Sequence, residues 1–421
     1  MADTTRPAPG GTVAGPLTGA GGLCTLVLMA AYAGPAAAEA WLIQPTVAFT
    51  TRYEDNIRLV PDEEEDAWTN APTVQALVSR QTETMDVRAL GRLTYRIYEG
   101  SADLDDRGDQ LARLGSKFRT ERSVFGLDGS WRRQDALARR SGGNEDLLGD
   151  EALPGEVDDD DADTGQVREQ VIRNRADLVP SYTYQLSERT EVGANVAYRN
   201  QYYEDDDADL GLTDYEQYTL SLNHRYRLDE RTIWTNSLRG IDYEAPDVDR
   251  EYQTNEILTG INRAFTERLR VGFLVGWRET DFDTPTDDGS NSGYTLQLTG
   301  TLRDELSTLF GRLSHRLVPS ATGDVVEQDE LLVRYRYQMT PRLRAGIVAR
   351  YFENESLELE NESANRRYLN VEPELDYALS LAWSLRATVF HEREDRDSFD
   401  REATNTGIMF SLVYTPPSEL D

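Results

Sequence analysis

Apolar and polar residues alternate with a period of two along much of this chain. In the segment 87–98 the odd-numbered residues are Val, Ala, Gly, Leu, Tyr and Ile, whereas the even-numbered residues include three arginines. Similar alternation recurs at 218–228, 269–279, 294–303 and 331–339. Successive side chains of a β-strand point to opposite faces, so each segment has one apolar and one polar face. Alternation over about ten residues is typical of transmembrane β-strands.

Short turn motifs separate the alternating segments. They share the form apolar, Ser/Thr/Asp, Glu/Pro, Arg, Thr/Leu at 186–190, 228–232, 265–269 and 339–343, with related sequences at 81–85, 118–122, 302–306 and 379–383. Most of them are spaced by roughly forty residues, a period that WD40 propellers share. A propeller blade needs four short strands per repeat, whereas each repeat here holds two long strands, one tight turn and one acidic loop. The repeat is therefore predicted to be a β-hairpin of a barrel.

Eight such turns separate nine long hairpins. This predicts an all-β fold, a membrane-spanning antiparallel up-and-down β-barrel of about eighteen strands, with sixteen as the alternative. The tight turns are expected on the periplasmic side and long acidic loops outside. The loops are predicted at 54–71, 99–108, 137–168, 203–214, 243–250, 281–291, 319–328, 353–366 and 392–403. Tyrosines near the strand ends predict aromatic girdles at the lipid headgroups.

The N-terminal residues have the three-part form of a secretory signal. A basic residue precedes the apolar run 23–34, and small residues follow it. The run is too short to span a bilayer, which takes about 20 residues. The sequence therefore predicts a signal peptide in 1–40, cleaved after Ala38 or Ala40, and a barrel domain in 41–421.

Composition supports an exported barrel. Among 421 residues there are 21 Tyr, 11 Phe and 6 Trp, yet the mean hydropathy is only −0.61. High polarity with many aromatic residues suits a barrel in which half of every strand faces water. The net charge of −32 argues against nucleic acid as a partner. The one cysteine, Cys24, lies in the predicted signal, so neither disulfides nor thiol chemistry is expected in the barrel.

Arginines are concentrated on the polar faces. Lys117 is the single lysine among 44 basic residues, which favours planar, bidentate contact with carboxylate or phosphate, although a GC-rich genome would give the same bias. The residues assigned to the lumen are Arg88, Arg92, Arg96, Arg173, Arg175, Arg199, Arg225, Arg227, Arg270, Arg278, Arg312, Arg316, Arg334, Arg336, Arg344, Arg350 and Arg386.

Two interpretations of these arginines are open. They could pair with acids and only fill a polar interior, or they could line a path for anions, because a low-dielectric wall focuses the field of like charges. The alternation places few acids on the same faces, with Asp128, Asp177 and Glu191 as examples. That imbalance favours the anion path.

The longest predicted loop carries a strongly acidic segment. Residues 144–163 contain ten acidic residues and no basic one. The segment is expected to be a solvated outer loop. Alternatives are a plug that folds inward onto the arginines, in which case its deletion should raise single-channel conductance, and a calcium site, although no EF-hand spacing is present.

Catalysis is not expected. The histidines His224, His315 and His391 all fall on apolar faces, whereas Ser221 and Asn223 fall on a polar face, so they do not converge. No phosphate-binding loop or metal-ligand spacing is present. The sequence predicts neither an enzyme nor a bound metal or cofactor.

A short motif resembles a known family. The segment 45–59 runs from a first strand into Tyr53, Asp55, Asn56 and Ile57, and it resembles the start of the β-barrel porin 2 family of Gram-negative outer-membrane proteins. Membership would imply the same barrel, no catalytic residues, and association with exopolysaccharide or surface-polymer export. The last strand is similar to the closing strand that barrel assembly machinery recognises.

The sequence therefore predicts a Gram-negative outer-membrane porin for passive permeation or export of anionic solutes, including acidic exopolysaccharide. The alternative is a non-conducting structural or assembly barrel linked to polymer secretion. The expected partners are outer-membrane lipid, lipopolysaccharide and the assembly machinery. The identity of the solute, its direction and the oligomeric state stay open.

Overall fold

The computed structural model describes residues 41–62, 64–137, 167–204, 211–285, 288–357, 365–396 and 402–417. The predicted signal peptide and the acidic segment 144–163 lie outside these residues. The strands are β1 (Leu42–Glu54), β2 (Ala67–Gln81), β3 (Met85–Gly100), β4 (Arg107–Arg119), β5 (Ser123–Asp135), β6 (Ile172–Gln185), β7 (Thr190–Tyr203), β8 (Tyr215–Asp229), β9 (Thr232–Ala245), β10 (Arg250–Ala264), β11 (Leu269–Asp283), β12 (Asp288–Arg303), β13 (Ser307–Pro319), β14 (Val325–Thr340), β15 (Leu343–Ser356), β16 (Arg366–Ala378), β17 (Trp383–Arg396) and β18 (Ala403–Tyr414).

Every strand pairs antiparallel with the next one along the chain. The first and last strands also pair, from Val47↔Tyr414 to Glu54↔Gly407, so the sheet closes on itself. Closure removes the free sheet edges that lipid cannot satisfy. The predicted antiparallel barrel is confirmed, with eighteen strands rather than sixteen. A 3₁₀ turn, Pro246–Val248, stands in the connection between β9 and β10.

The two faces of each strand differ as the alternation predicts. Large apolar side chains on the outward face are exposed, as Val74 and Leu93 illustrate. Residues on the opposite face, such as Gln75 and Leu90, are buried by their neighbours around the interior. No helix among the described residues is long and apolar enough to cross a membrane.

Aromatic pairs mark two levels on the outer surface. Near the tight turns, Phe125 contacts Tyr182 and Trp383 contacts Tyr414, each with ring centroids 4.8 Å apart. Near the loops, Tyr198 contacts Tyr218 at 4.9 Å. Amphipathic rings favour the headgroup layers on both sides of a bilayer. The apolar surface between these levels is therefore the part of the barrel that faces hydrocarbon.

The recurring turn motif has a local cause. Its Ser or Thr accepts a hydrogen bond from the backbone N–H three residues later, from Thr190 to Ser187 Oγ at 3.1 Å and from Leu269 to Thr266 Oγ1 at 2.9 Å. Thr340 accepts from Leu343 in the same way, at 3.0 Å. A side chain that holds its own turn reverses the strand within a few residues.

Candidate functional site in the lumen

The pairing register places the predicted lumen arginines on the inner face of the barrel. Their environments fall into three groups: the wall formed by β1–β5, a set of buried ion pairs, and the rim near the tight turns. At that rim Arg225, Arg227, Arg270 and Arg344 are exposed, and Arg225 contacts Glu191 at 3.2 Å. The contribution of the lumen arginines to an anion path stays a prediction.

A cavity over β1–β5 brings four guanidinium groups together. Arg52, Arg92, Arg96 and Arg132 all line it, as do Thr69, Thr73, Thr94, Tyr98 and Gln134. Two carboxylates belong to the same lining. Glu54 accepts from Arg52 at 3.0 Å, and Asp109 accepts from Arg96 at 2.5 Å. The lining thus has twice as many guanidinium groups as carboxylates, and its polar side chains are hydrogen-bonding groups suited to a hydrated anion.

The inner face carries more carboxylates than the three predicted examples, although basic side chains still outnumber them. Glu330 is 1% exposed and lies under three arginines, at 2.7 Å from Arg350 Nε, 3.0 Å from Arg312 Nη2 and 3.7 Å from Arg316 Nη2. A buried carboxylate is stable only when cations and hydrogen bonds replace its lost hydration. This cluster holds three neighbouring strands, β13, β14 and β15, together from inside.

A second buried carboxylate was missed because β17 is longer than expected. Glu394 falls in the predicted loop 392–403, yet β17 continues to Arg396, so the side chain stays on the inner face. It accepts from Arg396 at 2.9 Å and Arg366 at 3.1 Å. The alternation of β17 continues on the loop side of the outer aromatic residues, within the segment that was predicted to be a loop.

Acidic residues are concentrated on one arc of the wall. Glu372 and Glu374 of β16 and Glu392 of β17 are all buried on the inner face. Glu392 accepts from Tyr368 Oη at 2.9 Å, and Glu374 lies 3.7 Å from Arg336. The interior therefore has an arginine-rich side on β3–β7 and an acidic side on β16 and β17.

The other predicted arginines also have defined surroundings. Asp177 accepts from Arg175 at 3.1 Å and Arg199 at 2.7 Å, and Asp376 accepts from Arg386 at 2.6 Å. Their remaining partners and burial are as follows: Arg88 donates to Asp86 at 3.3 Å, Arg173 is 2% exposed, Arg278 contacts Glu327, and Arg334 is half-buried.

Loop 1, residues 55–66, folds over the acidic side. Asn56 Nδ2 donates to the carbonyls of Val60 at 2.7 Å and Thr404 at 2.9 Å, and Asp55 accepts from the Thr406 N–H. These are the residues of the family-like motif. Their function in the fold is to complete the edge of β18 where β1 ends.

Leu59 anchors the same loop by apolar contact. It is fully buried against Phe352, Tyr368 and Ala403 on β15, β16 and β18. Its φ of 50° lies in the left-handed region, which costs energy for a residue other than glycine. The buried contact and the two Asn56 hydrogen bonds offset that cost.

Loop 1 is also tied to the end of the loop between β5 and β6. Arg58 contacts Glu65 at 2.8 Å and Glu169 at 2.5 Å. Burial opposes the charge of Arg58, but the hydrogen bonds that it donates to these two carboxylates prevail and raise its pKa. Arg168 reaches Glu394 on β17 at 3.2 Å. The described loop segments therefore narrow the mouth of the lumen.

Replacing Asn56 by Ala is expected to loosen loop 1. The variant loses both hydrogen bonds to partly buried backbone carbonyls. Leaving a fully buried acceptor unpaired costs about 1–3 kcal/mol, which is the upper limit for each of these groups. We expect faster proteolysis within 55–66 and a larger mean conductance, measured by limited trypsin digestion and bilayer recording. Asn236→Ala, on the outward face, is the control. Equal cleavage of loop 1 in both variants would contradict this function of Asn56.

The histidines are placed as predicted, on the outward face. His224 contacts Asn236 Nδ2 at 3.3 Å, and His391 contacts Thr406 Oγ1 at 2.9 Å. Ser221 is buried on the opposite side of the wall from His224, so these two residues cannot form a nucleophile–base pair. No group of three or more His, Cys, Asp or Glu side chains in the described part of the chain is arranged to hold a metal ion.

Comparison with known proteins finds solved structures that are similar to this chain. No family model and no curated protein matches the chain. Among similar structures, Pseudomonas aeruginosa OprD has 12% identity and a TM-score of 0.44 over 90% of this chain and 96% of its own. Pseudomonas aeruginosa OccK5 (OpdH) has 11% and 0.47 over 90% and 98%, and Acinetobacter baumannii OccAB3 has 13% and 0.44 over 89% and 99%.

The environment of the barrel follows from its own geometry. Eighteen strands close completely, the outward face is apolar, and aromatic pairs border that face at two levels. Only closed barrels and helices satisfy backbone groups in hydrocarbon. The chain is an integral β-barrel of the Gram-negative outer membrane.

Proposed function

We propose that this barrel is a water-filled channel that favours anions and conducts them passively. The observation that carries the proposal is the charge of the inner face. Along the described strands, inward basic side chains outnumber inward carboxylates roughly two to one, as assigned by register and alternation. The whole chain has the opposite balance, with a net charge of −32. Positive charge is thus concentrated inside the barrel.

The arrangement of charge supports a defined route. The cavity with Arg52, Arg92, Arg96 and Arg132 lies on β1–β5, and Glu372 and Glu392 lie on the neighbouring arc, beyond β18. Low-dielectric walls focus the field between two such sides. An anion is drawn to β1–β5 and repelled from β16 and β17, so its path follows the arginines.

Arginine chemistry indicates the class of solute. A guanidinium group binds carboxylate, sulfate or phosphate through two parallel hydrogen bonds. Small organic anions and acidic polysaccharides both present such groups. The resemblance of the segment at 53–57 to a family linked to surface-polymer export favours an acidic polysaccharide.

A second candidate is a non-conducting barrel with a structural or assembly function. The clusters around Glu330 and Glu394, and the inward fold of loop 1, favour it because they fill part of the lumen with fixed ion pairs. The excess of basic residues on β3–β7 favours the channel, since fixed pairs alone would need equal numbers of both charges.

Planar-bilayer recording separates the two functions. Purified barrel, shown to be folded by heat-modifiable migration on a gel, is added to one side of a bilayer under a KCl gradient. Stepwise conductance with a zero-current potential on the anion-selective side supports the channel. Electrical silence of folded protein, with a known porin as positive control, overturns it in favour of the structural barrel.

A further inference from the structure

The hydrogen-bonded ladder between β12 and β13 ends halfway along the wall. Its last pair on the loop side is Leu296↔His315. β12 continues to Asp288 and β13 to Pro319, all within the described residues, without further pairing between them. On its other edge β12 stays paired with β11 as far as Asp288. The segments 288–295 of β12 and 316–319 of β13 therefore face each other without ladder pairing, and this gap in the wall is here called the seam.

Arg278 of β11 passes into the seam. It is fully buried and lies on the inner face, opposite Gly293. Its Nη1 donates to the Tyr294 carbonyl at 2.9 Å, and its Nη2 contacts the Glu327 carboxylate. Glu327 shares the outward face of β14 with the exposed Leu331. The guanidinium thus connects the inner face of the barrel to a carboxylate on its outer face.

The sequence of β12 is suited to this arrangement. A Cβ at position 293 would lie 2.7 Å from Arg278 Nη2 and 3.0 Å from its Cζ. Any side chain there would displace the guanidinium from the strand. Gly293 therefore allows Arg278 to lie flat against β12 and to reach the Tyr294 carbonyl.

Other contacts give the seam an amphipathic lining. Outside, Tyr294 and His315 stack with centroids 4.2 Å apart and an interplanar angle of 18°, and His315 Nδ1 lies 2.9 Å from Asp329 Oδ1. Inside, Val318 and Val326 form a small buried apolar cluster. The guanidinium can bind the anionic end of a solute, and the valines and the aromatic ring can contact its apolar body.

A comparison with the other short ladder shows why the seam is special. β1 and β18 also stop pairing below the loops, but Asp55 and Asn56 then bond to the β18 backbone from the chain itself. At β12 the corresponding contact is made by Arg278, whose other bond is an ion pair. Arg278 can exchange the Glu327 carboxylate for the anionic group of a solute. Loop 1, in contrast, is part of the chain and cannot be replaced at β18 by a solute.

We propose that the seam is a lateral portal through which an amphipathic anion passes between the lumen and the headgroup layer of the outer leaflet. The anionic end of the solute replaces Glu327 on Arg278, and the seam then opens beside Tyr294. The proposal rests on the anion path proposed above, because that path delivers the solute to Arg278. Its apolar body leaves towards lipid without crossing the mouth that loop 1 narrows.

The test uses a cysteine at the inner side of the seam and a reagent confined to the membrane. Cys24 precedes the barrel and is the one cysteine of the sequence, so Val318→Cys introduces a single reactive group there. The barrel is reconstituted in vesicles that contain a phospholipid with a maleimide on its headgroup. Labelling of Cys at 318 requires that the headgroup layer communicates with the inside of the wall.

In this background Glu327→Gln is expected to label about tenfold faster, because the variant weakens a charge-assisted hydrogen bond that closes the seam. The matched control is Glu353→Gln. Glu353 is an outward carboxylate of β15, and its partner, at 2.9 Å, is Arg367 of β16 rather than Arg278. Its labelling rate should equal that of Val318→Cys alone. Equal rates for the Glu327 and Glu353 variants would overturn the portal.

A second variant protects the test against misfolding. His315→Ala removes the outer stack and should also accelerate labelling, provided that heat-modifiable migration shows a folded barrel. If Glu327→Gln does not fold, an unchanged labelling rate in folded His315→Ala excludes the portal. Conductance and ion selectivity, measured on the same proteins, report the anion path independently, so failure of the channel and failure of the portal give different results.

Discussion

Arg92→Glu is expected to lower the anion preference of the channel by a factor of roughly three to ten, because charge reversal in a water-filled lumen with low-dielectric walls changes the local potential by more than one kT. Arg92 lines the cavity on the arginine-rich side. Reversing its charge removes part of the field that draws anions to this wall. The measurement is the zero-current potential of single channels under a KCl gradient.

Two controls carry the same charge change at other places. Arg336→Glu alters the opposite part of the interior, where Glu374 already lies 3.7 Å away, and should have a smaller effect. Arg342→Glu alters an exposed turn outside the lumen and should have none. At 1 M salt all differences should shrink, since the Debye length falls to about 3 Å. Equal shifts for Arg92 and Arg342 would show that the lumen arginines do not steer solute.

Glu330→Gln is expected to destabilise the barrel by about 3–5 kcal/mol, the usual cost of removing one partner from a buried ion cluster. The carboxylate is 1% exposed and contacts Arg312, Arg316 and Arg350, so it offsets one of their three positive charges. Without it, three guanidinium groups repel one another in a poorly hydrated part of the lumen. Urea unfolding in detergent or vesicles, followed by loss of the heat-modifiable form, measures the change.

The control for Glu330 is the outward carboxylate of Glu353, whose partner Arg367 has a side chain 56% exposed. Glu353→Gln should change stability by no more than about 1 kcal/mol, because water screens an exposed pair. The double variant Glu330→Gln with Arg350→Gln should recover part of the loss, since it removes one of the repelling charges. Equal stability of the two single variants would show that the Glu330 cluster does not hold the wall.

The two predictions address different properties of one interior. The contacts of Glu330 with its three arginines stiffen the wall, and the cluster keeps a net charge of +2. The cavity on β1–β5 has more guanidinium groups than carboxylates, and its surplus is what an anion would sense. A barrel can therefore be rich in ion pairs and still favour anions, provided that its inward basic side chains outnumber the carboxylates they contact.

The order and number of strands followed from the sequence alone. Alternation is a property of neighbouring residues, and the turns are held by side chains within the same few residues, as with Ser187 and Thr190. Closure into eighteen strands then follows from counting hairpins. The sequence also predicted the face on which each arginine lies, because odd and even positions of a strand point to opposite faces whatever the adjacent strands are.

The partners across the lumen depended on the tertiary structure. Arg168 and Glu394 are 226 residues apart, and they meet only because the sheet curves and the loop end turns inward. Glu394 and Glu392 were hidden in a predicted loop, because the point where a strand ends depends on its neighbours in the wall. The seam is decided in the same way. Pairing between β12 and β13 stops where Arg278 of a third strand occupies the gap, and no local pattern encodes a contact among three strands.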